Sequence, residues 1–382
     1  MIAYTNYLYD GRVRLEAETL VGWGHEVLVL VPKDKPAPPR RSYVHHGVAV
    51  RELNVPKYQG KSTLTYVLSY FRFLVFAFFA CTWLYLRSRI DVVHVHNMPN
   101  SLVFAAIVPR LFGARVILDI HDTVPETYAA KFRTSSSLIF RILRLEEGIS
   151  CRLPQRLIAV NHVQREALLG RGIPAEKVAT VIYMPQFAAQ NANGNGHNLP
   201  GAFRMVNHGT ISLRLGNDLL VQAAAKLVHE IPGFELHFVG GGDGLQDLIR
   251  LSKSLDVENC VHFHKAVEAS LLPQRLAGMD VGIVANRRNI ATELMLPAKL
   301  IDYVNLGIPA LVPRLKGIQY YFTNDMVSYF EPGNVDSIVE ATVALYKDKA
   351  RRAQQPLNAK SFVQKYGWDN AKMSLKAIYE DS

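Results

Sequence analysis

Cysteine is scarce in this chain of 382 residues: only Cys81, Cys151 and Cys260 occur. They are odd in number, far apart and without C-x-x-C spacing. That excludes a disulfide framework and a cysteine metal site, and leaves three reduced thiols in a cytoplasmic setting as the expectation. The histidines form no H-E-x-x-H pair, and no Asp-x-Asp clamp is present, so no obligatory metal is expected. The opening residues lack a charged n-region and a long apolar h-region, so no signal peptide is read there. The first apolar strand begins almost at residue 1, and the native start is expected a few residues upstream. A hydrocarbon span needs about 20 apolar residues. The longest uncharged apolar run, residues 73–86, has fourteen, too few to cross alone.

What is present is globular: 49% hydrophobic and 20% charged residues, enough chain for two domains. The formal charge is +10. Residues 1–200 hold 23 Lys and Arg against 14 Asp and Glu, nearly the whole excess. A basic half implies an anionic partner. Nucleic acid is disfavoured, because no Cys/His finger, aromatic RNP-like strand or long basic run occurs. An anionic membrane or a phosphorylated substrate remains. The 73–86 run, flanked by Arg72, Arg87 and Arg89, reads either as a buried helix against a sheet or as an interfacial helix with aromatic and arginine anchors. The second reading would hold the protein on the inner face of the plasma membrane.

Short apolar runs alternate with amphipathic stretches. Strands are expected at 2–5, 26–31, 48–52, 91–96, 116–121, 156–160 and 178–183, then at 203–207, 235–240, 261–264, 281–284, 310–312 and 327–330. Such alternation argues for parallel sheets covered on both faces, an α/β class. The Gly/Asn-rich, uncharged segment 186–200 reads as a linker between two Rossmann-like domains, 1–185 and 201–360. A tail, 361–382, is expected to pack back on the first domain. Two doubly wound domains are expected to face each other across a cleft at the carboxyl ends of their strands, where such sheets bind ligands. Residues 60–63, Gly-Lys-Ser-Thr, mimic a phosphate loop, but Val55 stands where its first glycine belongs.

Three segments carry chemistry. In the stretch 293–312, Pro297 and Gly307 bracket a helix, and Lys299 falls in its first turn. A cation beside free N–H groups at a helix start suits a diphosphate, and Asp302 one turn on suits ribose hydroxyls; a surface Lys–Asp pair is the plainer alternative. In 207–218, Gly209 lets the backbone approach a phosphate and Arg214 can bind it bidentately, unless it is merely a loop arginine. His121 ends an apolar strand at Asp119–Asp122. Gly240-Gly-Gly-Asp-Gly244 is either a donor contact, through Gly241 and Gly242, or a tight turn. His264 and Lys265 close another strand and are candidates to lie near a base.

Taken together, these pieces resemble the retaining GT-B glycosyltransferases that build bacterial polysaccharides, the group 1 or family 4 type. The resemblance runs over nearly the whole chain: 10–20 with Gly24-His-Glu-Val27, Asp91–His96, Asp119–Asp122, His208-Gly-Thr-Ile211 with Arg214 and Gly216, Phe238–Gly242, and Leu296–Tyr303 with Gly307-Ile-Pro309. It implies that Arg214 and Lys299 stabilise a leaving diphosphate and that Asp302 holds the ribose. His121 would lie near the reacting face of the sugar, with Gly11 near the diphosphate. Thr210 and Leu300 complete the donor-binding set. The family often carries two glutamates; here Asp302 stands for the second, and Glu293 lies one residue from the place of the first, where Leu294 sits. The implied activity is transfer of a sugar from a UDP- or GDP-sugar to a glycan acceptor, lipid-linked, in cell-surface polysaccharide synthesis. A nucleotide-sugar epimerase and a non-catalytic membrane scaffold of the same fold are the alternatives.

Overall fold

The computed structural model describes residues 1–33, 42–58, 63–132, 137–187 and 201–380. The linker segment from residue 188 on and the decoy turn at 60–62 lie outside them. The chain divides into two compact units, Met1–Tyr183 with Asp369–Ser382, and Met184–Trp368.

The strands of the first unit are β1 (Ile2–Ala3), β2 (Leu28–Lys33), β3 (Ser42–His45), β4 (Val48–Pro56), β5 (Val92–His96), β6 (Arg115–Ile120), β7 (Arg156–Ala159) and β8 (Val178–Thr180). They form one sheet in the order β3-β4-β2-β1-β5-β6-β7-β8. All pairs are parallel except β3–β4, a hairpin that the pattern of apolar runs does not reveal. Its turn, His46-Gly47, has φ of 46° and 80°, which suits the twist of a two-residue hairpin. Side chains alternate across the sheet. Ala3, Val29 and Val31 meet Val13 and Ala17 of the helix Gly11–Gly22 on one face. Ile2, Leu30, Val93 and Val95 meet Phe73, Ala77 and Cys81 on the other.

Those last three residues belong to a 25-residue helix, Thr63–Arg87. Their i, i+4, i+8 spacing makes a single buried stripe. The other faces expose Phe71, Phe76, Phe79, Trp83 and Leu86. The helix is longer than the apolar run: its 21-residue stretch Val67–Arg87, of mean hydropathy 1.8, is long and apolar enough to cross a membrane by length and composition. The expectation of a segment too short to cross is corrected on that point. The buried-helix reading holds for one face of the run, and the other faces are half-buried or exposed.

The second unit has β9 (Phe203–Thr210), β10 (Phe234–Gly241), β11 (Val261–His264), β12 (Val281–Ile283), β13 (Ala310–Pro313) and β14 (Ser328–Phe330). All run parallel in the order β11-β10-β9-β12-β13-β14. The chain starts in the middle of the sheet, builds outward, then returns past its start. That places a topological switch point between β9 and β12, at whose carboxyl end ligands bind in such sheets. In the first unit the corresponding point lies between β1 and β5.

The tail divides at 369, later than the expected 361. Phe362 packs on Tyr321, Phe322 and Tyr366 of the second unit, which keeps the helix Lys349–Tyr366 there. The helix Trp368–Glu380 joins the first unit, where the Tyr379 hydroxyl meets His94 Nδ1 at 2.8 Å.

Phe73→Ala is expected to cost about 3–5 kcal/mol of stability by opening a core cavity, whereas Phe79→Ala stays within about 0.5 kcal/mol. Urea unfolding of both variants checks this; similar losses would contradict the buried-stripe assignment.

Candidate functional sites

In the second unit the expected residues gather at the carboxyl edge of the sheet. Gly209 and Thr210 end β9, and Gly240 and Gly241 pair with them at the end of β10. Gly209, Thr210, Gly241, Gly242 and Lys265 are exposed there, and His264 ends β11 half-buried. A Cβ at Gly240 would overlap the Gly209 carbonyl, so only glycine lets these two strand ends run so close. Burial and then Arg275 draw the His264 imidazole down to about 4.

The helix Ala298–Asn305 begins after Pro297, which sits at its N-cap, one residue outside the expected position. Lys299, in the first turn, donates from Nζ to Asn207 Oδ1 at 3.1 Å. The same oxygen accepts from Asn217 Nδ2 at 3.0 Å, while Asn207 Nδ2 donates to the Ile283 carbonyl at 2.7 Å. Asn217 Oδ1 accepts from Ser212 N at 2.8 Å. Two asparagines thus tie the lysine, the switch point and the turn 212–217 into one lattice. That turn carries Arg214, which has no side-chain partner among the described residues. Gly216 closes the turn at φ 76°, and a Cβ there would overlap the Ala285 carbonyl. Burial lowers the Lys299 pKa to about 8, with Asp302 opposing the fall.

Asp302 faces inward. Its Oδ2 meets His208 Nε2 at 2.9 Å, while Oδ1 is buried with no hydrogen-bond partner among the described residues. An unmatched buried carboxylate oxygen is costly, and a ligand hydroxyl would satisfy it. Two expected residues sit otherwise than read. Leu300 is 0% exposed and offers its side chain only to the core. Glu293 Oε2 accepts from Lys316 N at 2.7 Å and Oε1 pairs with Arg288 Nε at 3.1 Å. Each of its oxygens therefore already has a partner within the chain, so the carboxylate is not the free one that was expected.

The first unit places His121 in a pocket of about 200 Å³ at its own switch point, lined also by Thr5, Asp10, His96, Asn97 and Asp122. His121 Nε2 lies 3.0 Å from Asp119 Oδ2 and 3.1 Å from His96 Nδ1. Asp119 is held in turn by Arg12, Nε to Oδ2 at 2.7 Å and Nη2 to Oδ1 at 3.0 Å. This fork-to-fork pair is fully buried, the geometry in which an arginine–carboxylate contact is strongest. Burial opposes the Asp119 charge, but Arg12 and then His121 hold its pKa well below the usual range. Burial likewise opposes the His121 imidazolium, yet Asp119 outweighs it and the pKa rises. Burial draws His96 down to about 4 and pushes Glu16, beside Arg12, up to about 8. His121 is thus the one ring of the pair disposed to carry a proton.

Asn97 Oδ1 accepts from His121 N at 2.7 Å, fixing the backbone of the strand end. Gly11 begins the helix Gly11–Gly22, where the Tyr183 ring occupies the space a Cβ would need. The sequence signals for Asn97 and Arg12 are weak. An asparagine after a strand and an arginine in a first helical turn are common; the register of β5 and β6 brings Asn97 to His121, and the packing of the helix Gly11–Gly22 brings Arg12 to Asp119.

Asp119→Asn is expected to lower the His121 pKa toward its ordinary value by removing the charge that favours imidazolium. Imidazole proton shifts followed over pH by NMR check it; an unchanged titration would contradict the pairing.

Residues 11–183 match the family described as glycosyl transferase 4-like domain, and residues 202–348 the glycosyl transferases group 1 family. The sulfoquinovosyl transferase of Arabidopsis thaliana is 22% identical over 309 residues, 76% of this chain and 56% of that protein. A GDP-mannose-dependent alpha-(1-6)-phosphatidylinositol monomannoside mannosyltransferase of Mycolicibacterium smegmatis is 29% identical over 143 residues, 37% of each chain. The chain therefore spans only about half, or less, of the length of these relatives. Among solved structures, a sucrose-phosphate synthase of Thermosynechococcus elongatus superposes with a TM-score of 0.78 at 16% identity, covering 100% of this chain and 98% of the other. The Anabaena protein HepE, solved with UDP and glucose, gives 0.72 at 14% identity over 100% and 99%. Two parallel-sheet units that match these families in order, on a backbone shared with GT-B structures, show that the chain belongs to the group 1 glycosyltransferases of the GT-B fold.

Proposed function

We propose that the chain is a retaining glycosyltransferase that takes a sugar from a UDP- or GDP-sugar. One observation carries this reading: Lys299 stands in the first turn of a helix at the carboxyl end of the switch point, partly buried and answered only by a neutral amide. A half-buried ammonium beside free helix N–H groups is a place for a diphosphate. Arg214 supplies a second cation from the adjoining turn, and Asp302 Oδ1 supplies an acceptor for a ribose hydroxyl. The similar HepE structure holds UDP and glucose, and the similar mannosyltransferase is GDP-mannose-dependent, which supports a nucleotide-sugar donor.

In the proposed reaction the bond from the anomeric carbon to the diphosphate oxygen breaks, and its electron pair leaves with the nucleoside diphosphate. Lys299 and Arg214 stabilise that growing charge. The acceptor hydroxyl oxygen bonds to the anomeric carbon from the same face, and its proton passes to the departing phosphate oxygen. In the first unit, His121, held by Asp119, offers its ring as a hydrogen-bond donor to a ligand hydroxyl in that unit's own pocket. The residues named leave no catalytic task to a metal.

The acceptor is proposed to be lipid-linked, met at an anionic membrane. The helix Thr63–Arg87 exposes Phe79, Trp83 and Leu86, and the neighbouring Leu111 and Phe112 are exposed as well. Tyr85 bonds the Phe112 carbonyl at 2.6 Å, so these patches adjoin. Arg87 stacks over Trp83 at 4.7 Å, and Arg89 and Arg110 lie nearby in sequence. Apolar anchors framed by arginines suit an anionic bilayer surface, where each basic residue contributes about 1 kcal/mol.

Lys299→Ala and Arg214→Ala are each expected to cut turnover about a hundredfold or more; near wild-type rates in both would remove the site assignment. The wild-type kcat/KM for the donor should fall as pH rises through about 8, because the protonated lysine binds the diphosphate and is lost above its pKa. Lys299→Arg, charged throughout, should flatten that limb. Sedimentation with anionic vesicles checks docking: replacing Phe79 and Leu86 by serine should release the protein, and equal binding to neutral vesicles would contradict it.

A further inference from the structure

Histidine gathers a second time in the second unit, and of that group only His264 stands at the carboxyl edge of the sheet. The strands β10 and β11 run parallel with His237 opposite His262 and Val239 opposite His264. Leu236 and Phe238 point into the core, so Glu235, His237, His262 and His264 stand on the other face. That face is half-open, because β11 is the edge of the sheet. One ligand atom from each of Glu235, His237 and His262 lies within 4.8 Å of the others. His237 Nε2 is 3.0 Å from Glu235 Oε2, and His237 Nδ1 is 3.0 Å from His264 Nε2.

We propose that Glu235, His237 and His262 hold a divalent cation of the zinc class, which staples the edge strand β11 to β10. Imidazoles and a carboxylate are the ligand types zinc takes, at roughly 2.0–2.2 Å. Four such ligands around one ion stand about 3.3 Å apart, so side-chain rotation closes the cluster without moving the strands. Binding at His237 Nε2 displaces its hydrogen bond to Glu235. His264 then accepts from Nδ1–H and fixes the tautomer from the far side, the usual support of a metal-bound histidine. Arg204 Nε lies 3.1 Å from Glu235 Oε2 and can remain on that oxygen while Oε1 meets the ion. Water completes the coordination.

Two other groups have comparable residues. Glu16, His94, His96 and Asp119 are buried around the Arg12 guanidinium, a cation that already fills their centre. His45 and His46 of the β3–β4 hairpin, with Glu18 of the helix Gly11–Gly22, serve as the internal control.

The test is calorimetric titration of zinc chloride into the chelator-stripped, tag-free full chain. One equivalent should bind at micromolar concentration or tighter and raise the melting temperature. His237→Gln and His262→Gln should each weaken binding at least tenfold, and His46→Gln should leave it unchanged. Melting of each variant in chelator shows that it folds; Glu235→Gln, close in shape to the native residue, gives the same readout if a histidine variant does not. Cobalt in place of zinc should give visible absorption of tetrahedral type. No binding, binding indifferent to His237→Gln and His262→Gln, or binding lost in His46→Gln would each overturn the proposal.

Discussion

Burying an ammonium group without a carboxylate beside it costs free energy, and the second unit keeps Lys299 in that state. Its amine meets Asn207, a neutral amide, while Asp302, whose charge opposes the fall in the lysine pKa, meets His208 through Oδ2. The depressed pKa of about 8 is the measure of that cost. Much of the unit's architecture follows from holding the lysine there. β9 ends at Asn207–Thr210, Asn217 fixes the amide that faces the lysine, and Gly216 allows the turn that brings Arg214 to the same edge. A diphosphate would supply the missing negative charge, and the free energy released on its arrival is available for binding.

The first unit solves the opposite problem. There a carboxylate, Asp119, is fully buried and is made tolerable by a bidentate arginine. The pair fixes His121 at the pocket and raises its affinity for a proton, while His96 beside it stays neutral. The Tyr379 hydroxyl reaches the neighbouring His94 from the chain's last described helix, so the C-terminal segment helps close the same polar core. Buried networks of this kind are costly when incomplete. Arg12, Glu16 and Asp119 must therefore be read as a set.

The sheets were legible because period-2 and continuous apolar runs are strong signals: each of the thirteen expected strands has its counterpart. The hairpin strand β3 was not, since Ser42–His45 has only two apolar residues and its cue is a two-residue turn. The places of Lys299, Arg214, Gly209 and His121, at a helix start, a turn and two strand ends, were legible from the alternation of elements, and such edges are where an α/β sheet puts its chemistry. What the sequence could not show is which partner each side chain meets. Glu293 looked like a displaced carboxylate and bonds the backbone at residue 316; Asp302 read as a ribose acceptor or as half of a surface Lys–Asp pair, and it lies buried against His208. Both outcomes depend on tertiary register, which spacing along the chain does not encode. The helix Thr63–Arg87 is similar: its apolar run was plain, but which face is core was decided by Phe73, Ala77 and Cys81 meeting the sheet.

The role proposed for Lys299 is to receive the diphosphate of a nucleotide-sugar. Thermal melting of the wild type and of Lys299→Ala, against UDP, GDP, ADP and their sugar-bearing forms, tests it most directly, since a ligand that binds the folded state raises the melting temperature by mass action. A shift with one nucleotide family is expected in the wild type, and its loss in the variant. Silence across the panel from folded wild-type protein, or an equal shift in Lys299→Ala, would contradict it.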